Sequence, residues 1–370
     1  MKKLLFGAYS LDIGGIEKAL VTLANKLQEQ GYDITIVLEK KQGIFVKEIN
    51  PKIKIIEYRP SESKNIIKRK IINYCKRIKF AVKYKNKFDF SASFATYSLP
   101  ASFVARTASK NCYLWVHSDY LTLFNENTQK MKEFFCEKKY NEFKKMIFVS
   151  KNGRENFIKV FPDMKKRTIV CNNLIDAKKI LKLSDEKISE SDFEKINKIE
   201  YNKEGKMTTF INVGRHVEKE KKLTRLIDAA SLLKKDNLNF RILFIGEGPE
   251  TEEYKKQVKE KNLEQNIIFL GKKQNPYPYF KMSDCVVLTS DYEGYPVVFL
   301  ESFILQKPII TTKVSDYDEV ENKYGYVTEK NTKDIYEKMK KIITEGFEIT
   351  EKFDYERYND EILKKIESLF

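Results

Sequence analysis

Along the chain, short apolar runs rich in Ile, Val and Phe alternate with longer stretches whose apolar residues recur every three or four positions. The runs predict strands at Lys3–Ala8, Ile34–Leu38, Ile53–Tyr58, Phe90–Phe94, Tyr113–Val116, Met146–Val149 and Thr168–Cys171. A second series follows at Thr209–Val213, Arg241–Ile245, Ile267–Leu270, Cys285–Leu288, Pro308–Thr311 and Tyr326–Thr328. Strands alternating with helical patterns predict parallel sheets with crossover helices. The alternation breaks over 177–206, which is polar and charged and predicts a linker with a surface helix. The chain therefore divides into a domain at 1–176, the linker 177–206 and a domain at 207–354. The last segment, 355–370, carries Tyr355, Tyr358, Ile362, Ile366 and Leu369 at helical spacing and predicts an amphipathic helix joining the first domain. The expected class is α/β: two Rossmann-like doubly wound parallel-sheet domains facing across a cleft.

Length agrees with this division, because 370 residues suit about two domains. The apolar runs are far shorter than the roughly 20 residues a bilayer span requires. The opening Met1–Phe6 is broken at once by Gly7 and a polar turn, so it reads as a strand and not as a signal peptide. A soluble, cytoplasmic protein is expected. The five cysteines are scattered and contain no Cys-x-x-Cys, which predicts reduced, buried thiols and no disulfide or zinc framework. Two histidines exclude a His-rich metal site. The net charge of +16 raises anionic partners: phosphorylated substrates, anionic lipid or nucleic acid. A general abundance of Lys explains the same charge without any ligand.

Open parallel sheets bind ligands at the carboxyl ends of their strands, and the informative motifs fall there. After the first strand, Gly14-Gly15-Ile16-Glu17 opens a helix, where free N–H groups attract phosphate and the glycines let a ligand approach closely. It is not Gly-x-Gly-x-x-Gly, so no dinucleotide fingerprint is matched, and a plain strand-to-helix turn is the alternative. His117 follows Tyr113–Val116 at a strand's carboxyl end, a position for a ligand-facing group as well as for a structural one. Strand Thr209–Val213 runs into Gly214-Arg215-His216-Val217-Glu218-Lys219-Glu220-Lys221-Lys222. There a guanidinium and an ammonium would suit a diphosphate, the first by paired hydrogen bonds and the second as a point charge. A solvated basic loop is the bland alternative. Finally, Cys285–Leu288 leads to Glu293-Gly294-Tyr295-Pro296 in a turn and Glu301 inside an apolar helical run. A carboxylate there is costly to bury without a hydrogen-bond partner, which ribose hydroxyls could provide. Asp316-Tyr317-Asp318 matches the Asp-x-Asp metal pattern superficially and is read as loop.

Together these residues resemble glycosyltransferase family 4, retaining enzymes of the GT-B fold, and in particular glycosyltransferases of bacterial surface-polysaccharide and capsule biosynthesis. Glu293 to Glu301 is similar to the family's Glu-x7-Glu, Val213-Gly214-Arg215 to its Val-Gly-Arg, and Ile245-Gly246-Glu247-Gly248-Pro249 to its Gly-x-Gly-Pro turn. Asn172-Asn173-Leu174-Ile175-Asp176 is similar to the Asn-Gly-Val-Asp of the hinge, with Asn173 where Gly is usual. The basic loop departs from Gly-Arg-x4-Lys-Gly: it is one residue longer and lacks the final Gly, leaving Lys221 as the expected phosphate-binding lysine and Lys222 as the alternative.

The resemblance implies a metal-independent hexosyl transfer from a nucleotide-diphosphate sugar, UDP-linked by family frequency, to a glycan or lipid-linked acceptor. No cofactor is implied, because the nucleotide sugar is a substrate. Arg215 and Lys221 would neutralise the departing diphosphate. Glu293 and the backbone of Gly294, Tyr295 and Pro296 would hold the sugar, and Glu301 the ribose. His117 would lie near the reacting sugar, Gly14 and Gly15 would line the phosphate and acceptor side, Gly214 and Gly246 would help bind the donor, and Leu270 and Gly271 would lie at the base edge.

Residues 64–87 hold ten Lys or Arg, with Ile67, Ile71, Tyr74, Ile78 and Val82 at helical spacing. That basic amphipathic helix suits the inner, anionic face of the plasma membrane, and equally an ordinary solvated helix. The competing functions are a GT-B epimerase or phosphorylase, a scaffold that has lost its catalytic activity, and a basic nucleic-acid-binding protein. Scattered charges without a recognisable binding module argue against nucleic acid as a partner.

Overall fold

The computed structural model describes residues 1–12, 14–198, 206–321 and 323–370. Ile13, within the expected Gly7–Glu17 turn, and 199–205, within the expected linker, lie outside the described residues. The chain forms two compact units, one of Met1–Ile175 with Glu356–Phe370 and one of Asp176–Tyr355.

The first unit is built on seven strands: β1 (Lys3–Ala8), β2 (Asp33–Leu38), β3 (Lys54–Glu57), β4 (Phe90–Ser93), β5 (Cys112–Val116), β6 (Lys145–Phe148) and β7 (Thr168–Val170). They pair in parallel in the order β3-β2-β1-β4-β5-β6-β7. The central strands are buried almost throughout, as helices covering both faces require. Ser98 starts the Leu99–Ala108 helix by accepting a hydrogen bond from the Ala101 N–H, with Pro100 in its first turn. That helix packs so closely on β1 that a Cβ on Gly7 would stand 3.1 Å from the Ala101 carbonyl oxygen. The Tyr355–Glu367 helix buries Ile362, Leu363 and Ile366, and the Phe370 ring beyond it meets Phe90 and Tyr32.

The second unit carries β8 (Thr208–Val213), β9 (Phe240–Ile245), β10 (Ile267–Gly271), β11 (Cys285–Leu288), β12 (Ile309–Thr312) and β13 (Gly325–Thr328), again all parallel, in the order β10-β9-β8-β11-β12-β13. A core cluster of this unit joins Leu226, Ile227 and Leu233 to Phe240, Phe244 and Met339. In both sheets strand order reverses beside the first strand of the unit, at β1/β4 and at β8/β11. Such a reversal opens a crevice at the carboxyl ends, where ligands of open α/β sheets bind.

Two details differ from the sequence reading. Residues 177–198 form two helices, Ala177–Ser184 and Glu190–Asn197, within the second unit. They are anchored there because Ile180 and Ile196 are buried and Asp192 accepts a hydrogen bond from Lys273 Nζ at 2.7 Å. The cysteines are not all buried: Cys112, Cys171 and Cys285 are, whereas Cys75 and Cys136 are exposed. Cys75 stands on a helix face that the unit's core does not cover.

Candidate active site

The loop after β8 and the loop after β11 meet at the second unit's strand reversal. The Lys221 ammonium donates to Glu293 Oε1 at 2.6 Å, and the Ser290 hydroxyl donates to the same oxygen at 2.7 Å. Both partners of the ion pair are mostly shielded from solvent, so their attraction is screened less than that of a surface pair. The loops are stitched by backbone as well. The Asp291 N–H donates to the Glu220 carbonyl at 2.8 Å, and the Thr289 hydroxyl donates to the Lys221 carbonyl at 2.8 Å. From below, Thr312 Oγ1 donates to the Ser290 carbonyl at 2.6 Å and Ser315 Oγ to the Glu293 carbonyl at 2.7 Å. These bonds fix the turn that presents Glu293.

Arg215 begins the same loop with its side chain largely in solvent, and its Nη2 reaches Glu220 Oε2 at 3.3 Å. Lys222 adopts φ +50° and its ammonium lies 3.7 Å from Asp291. Arg225 meets the other Asp291 oxygen at 2.6 Å. The loop thus sorts its two candidate phosphate-binding lysines: Lys221 goes to Glu293 and Lys222 to Asp291. Burial together with Glu220 and Glu293 pushes the Tyr292 phenol up to about 12.

Gly214 closes β8 next to Lys221, whose Cε would lie 3.6 Å from a Cβ placed on the glycine. Gly246, just past β9, has φ +133°, and a Cβ there would stand 1.8 Å from the Gly214 carbonyl oxygen. Only glycine allows that approach. Leu270 is buried near the end of β10, and Gly271 closes the strand at φ +72°, where a Cβ would stand 3.1 Å from Glu247 Oε1. Pro296 caps the Val297–Ile304 helix, and the buried Tyr295 donates to Glu319 Oε2 at 2.7 Å. Glu301 is buried in that helix and accepts a hydrogen bond from the Tyr277 phenol at 3.0 Å. The partner that the sequence reading sought in a ligand is supplied in part by the protein.

In the first unit, Gly14 is the extended residue before the Gly15–Glu29 helix. A Cβ on Gly14 would meet the Glu17 carboxylate, so the chain's own anion stands at this helix N-terminus. His117, just beyond β5, is buried against Phe94, with ring centroids 4.4 Å apart. Its Nε2 has no hydrogen-bond partner, and burial lowers its pKa to about 3. The ring is therefore neutral at physiological pH.

The second unit gathers Arg215, Lys221, Gly214 and Glu293 at one pair of loops, with Glu301 on the helix that follows. Sequence reasoning missed Arg225, Asp291, Ser290 and Tyr277. Arg225 and Asp291 carried a signal, since each lies within four residues of a named loop residue and bears charge. Tyr277 carried none, because its meeting with Glu301 depends on the packing of two helices. Asp316 is buried with φ +56° and leads a single helical turn at Tyr317–Glu319. Among the described residues no group of three His, Cys, Asp or Glu is placed to hold a metal ion.

Two parallel doubly wound sheets with these loops define the class, and comparison with known proteins shows what the chain is similar to. Over 99–100% of both chains the fold matches that of HepE from Anabaena, solved in complexes with UDP and with UDP-glucose, at TM-scores of 0.75 and 0.76 and 17–18% identity. The chain has the GT-B fold. Residues 193–360, most of the second unit and the start of the C-terminal helix, match the family model of glycosyl transferases group 1. An uncharacterized glycosyltransferase of Methanocaldococcus jannaschii is 26% identical over 54% of this chain. The chain spans about half of that relative, 47% of its length. The N-acetylgalactosamine-N,N'-diacetylbacillosaminyl-diphospho-undecaprenol 4-alpha-N-acetylgalactosaminyltransferase of Campylobacter jejuni is 24% identical over 84% of this chain and 81% of its own.

Proposed function

We propose that the chain is a glycosyltransferase of polysaccharide biosynthesis, moving a hexosyl unit from a UDP-linked sugar to a glycan or lipid-linked acceptor at the cytoplasmic face of the plasma membrane. The observation that carries this reading is the Lys221–Glu293 ion pair at the β8/β11 reversal, beside the solvent-facing Arg215. A diphosphate entering the crevice offers Lys221 and Arg215 more negative charge and more acceptor oxygens than the single carboxylates they now hold. Glu293, released, becomes an acceptor for sugar hydroxyls.

In the reaction the bond between the anomeric carbon and the β-phosphate oxygen breaks, and the acceptor oxygen bonds to that carbon. The acceptor's proton passes to the leaving phosphate on the same face, so the anomeric configuration is retained. Negative charge grows on the departing diphosphate, and fixed cations stabilise it by roughly 3–4 kcal/mol for each well-placed donor. Two such cations support a transfer that needs no metal. His117, neutral at its buried position, would offer a hydrogen bond to the reacting sugar without placing a positive charge beside the developing oxocarbenium centre.

The test is release of nucleoside diphosphate from a panel of UDP- and GDP-hexoses, with and without acceptor glycans, in the presence of a chelator. Acceptor-dependent UDP release that survives chelation, with retained configuration by NMR, is expected. Release without acceptor, epimerised donor, or consumption of free phosphate would point to the other GT-B chemistries. Full turnover in Arg215→Ala would overturn the assigned site.

A further inference from the structure

The Ile66–Tyr84 helix of the first unit is packed through only one side: Phe80 is buried, and Ile72, Asn73 and Tyr84 are partly covered. Phe80 rests against Tyr58, Tyr84 and Phe103. The other apolar stripe, Ile67, Ile71, Tyr74, Ile78 and Val82, points away from that contact, each side chain 47–81% exposed. With Ile66, this one helix carries six of the twelve large apolar side chains exposed among the described residues. The stripe is thus a concentrated patch, not the ordinary scatter of apolar surface. The contrast with other amphipathic helices of the chain is direct. Thr332–Glu345 buries Ile335, Met339 and Ile342, and Tyr355–Glu367 buries Ile362, Leu363 and Ile366.

Charge says what covers the stripe. The helix contains seven Lys or Arg and no Asp or Glu. At helical periodicity Lys68 and Lys79 border the stripe on one side and Lys70 on the other. Lys76 and Arg77 are turned towards the protein, Lys76 donating to the Arg59 carbonyl at 2.7 Å and Arg77 lying 5.4 Å from the Phe103 ring centroid. A second copy of this helix would bring seven cations against seven, so self-pairing is opposed. Nucleic acid would meet the lysines but leave five bulky apolar side chains in water. An anionic bilayer satisfies both halves, with acyl chains for the stripe and headgroups for lysines that can snorkel to them.

We propose that the Ile66–Tyr84 helix lies flat on an anionic membrane, with Ile67, Ile71, Tyr74, Ile78 and Val82 entering the headgroup–acyl boundary and Lys68, Lys70 and Lys79 meeting lipid phosphates. The attachment is interfacial; no helix among the described residues is long and apolar enough to cross a membrane. It deepens the functional reading by holding the first unit where a lipid-linked acceptor is presented.

The test needs neither donor nor acceptor, so its failure is separate from failure of the transfer reading. The full chain is floated with phosphatidylcholine vesicles and with vesicles containing about 30% phosphatidylglycerol, a proportion chosen to give a strong negative surface. Binding to the anionic vesicles is expected to exceed binding to neutral ones by at least about tenfold. Ile71→Asp/Ile78→Asp should lower it by about tenfold or more, with an unchanged thermal transition because both side chains are exposed. The native Cys75 provides a second readout in a Cys136→Ser background, those two being the exposed thiols. A polarity-sensitive dye on Cys75 should shift to the blue on anionic vesicles. No flotation at low salt overturns the proposal. So does flotation undiminished by the double substitution, which would leave only diffuse charge attraction. A concentration-dependent dimer that the same substitution abolishes, without vesicle binding, would assign the stripe to a second copy instead.

Discussion

At the carboxyl ends of the first unit's strands the polar groups are held mainly by neutral partners. His117 is packed among aromatic rings, Asp119 is bonded by the Thr122 hydroxyl and the Asn156 amide, and Glu39 is bonded by the Ser98 hydroxyl. At the matching ends of the second unit three loop carboxylates hold cations, Glu293 with Lys221, Asp291 with Arg225 and Lys222, and Glu220 with Arg215, while Glu301 and Glu319 accept from the Tyr277 and Tyr295 phenols. Both units use the same doubly wound sheet, so the difference lies in the loops and not in the fold. The second arrangement keeps cations in place for an anionic ligand by lending them to internal carboxylates. The first keeps a dry surface in which a neutral ring can be useful.

The comparison breaks most visibly at Lys221. Replacing it with Ala removes a cation aimed at developing charge and should lower kcat by about a hundred- to a thousandfold, with a smaller change in KM. Lys222→Ala should cost far less, since its ammonium is spent on Asp291. Equal losses in steady-state assays of the two variants would show that the loop does not discriminate between its lysines.

A structural contrast comes next. Gly246→Ala forces a Cβ against the Gly214 carbonyl at a backbone angle that side chains rarely adopt. It should destabilise the second unit by on the order of 3 kcal/mol. Gly7→Ala in β1 meets its nearest backbone atom at 3.1 Å and should be absorbed by small shifts. Chemical denaturation of both variants would measure the gap, and similar losses would mean that the two sheets are packed with equal tightness.

These contrasts also mark what could be read in advance. Most of the thirteen strands follow from runs rich in Ile, Val, Leu and Phe, because burial on both faces of a parallel sheet leaves little room for polar residues; β4 buries Ser91 and Ser93 and is an exception. The loops bearing Arg215, Lys221 and Glu293 were legible because strand ends are where such sheets bind ligands. What could not be read was who touches whom. The stripe on the Ile66–Tyr84 helix was visible as a pattern, yet whether it faced core or solvent depended on Phe80 and Tyr84 taking the inward positions. The Tyr277–Glu301 bond depends on two helices meeting, and the anchoring of 177–198 on Ile180 and Ile196 becoming buried within the second unit.

His117 gives the next effect in size. Its folded pKa of about 3 lies below the ordinary 6.5, because burial disfavours the imidazolium. Above pH 6.5 both folded and unfolded chains carry it neutral, and its contribution is fully present. As pH falls from 6.5 towards 3 the unfolded chain takes up a proton that the folded chain refuses, and stability is lost by up to about 1.4 kcal/mol per pH unit. Urea midpoints at pH 7 and pH 5 should therefore converge in His117→Gln, with on the order of 2 kcal/mol less acid destabilisation than in the parent. An unchanged difference would mean that the ring is more open to water than its packing against Phe94 implies.

The smallest effect tests the idea of lent cations most closely. Glu220 holds Arg215 at 3.3 Å in a pair whose arginine is largely solvated. Such pairs contribute about 0–1 kcal/mol, so Glu220→Gln should leave stability almost unchanged. If Glu220 competes with the donor diphosphate for Arg215, its neutralisation should lower KM for the nucleotide sugar a few-fold while kcat stays near the parent value. If the carboxylate instead positions Arg215 for the leaving group, the same substitution should lower kcat and leave KM alone. Initial rates across donor concentration separate the two. The second pattern would mean that the ion pairs of the second unit are working geometry, and that what distinguishes the units is orientation of charge and not its availability.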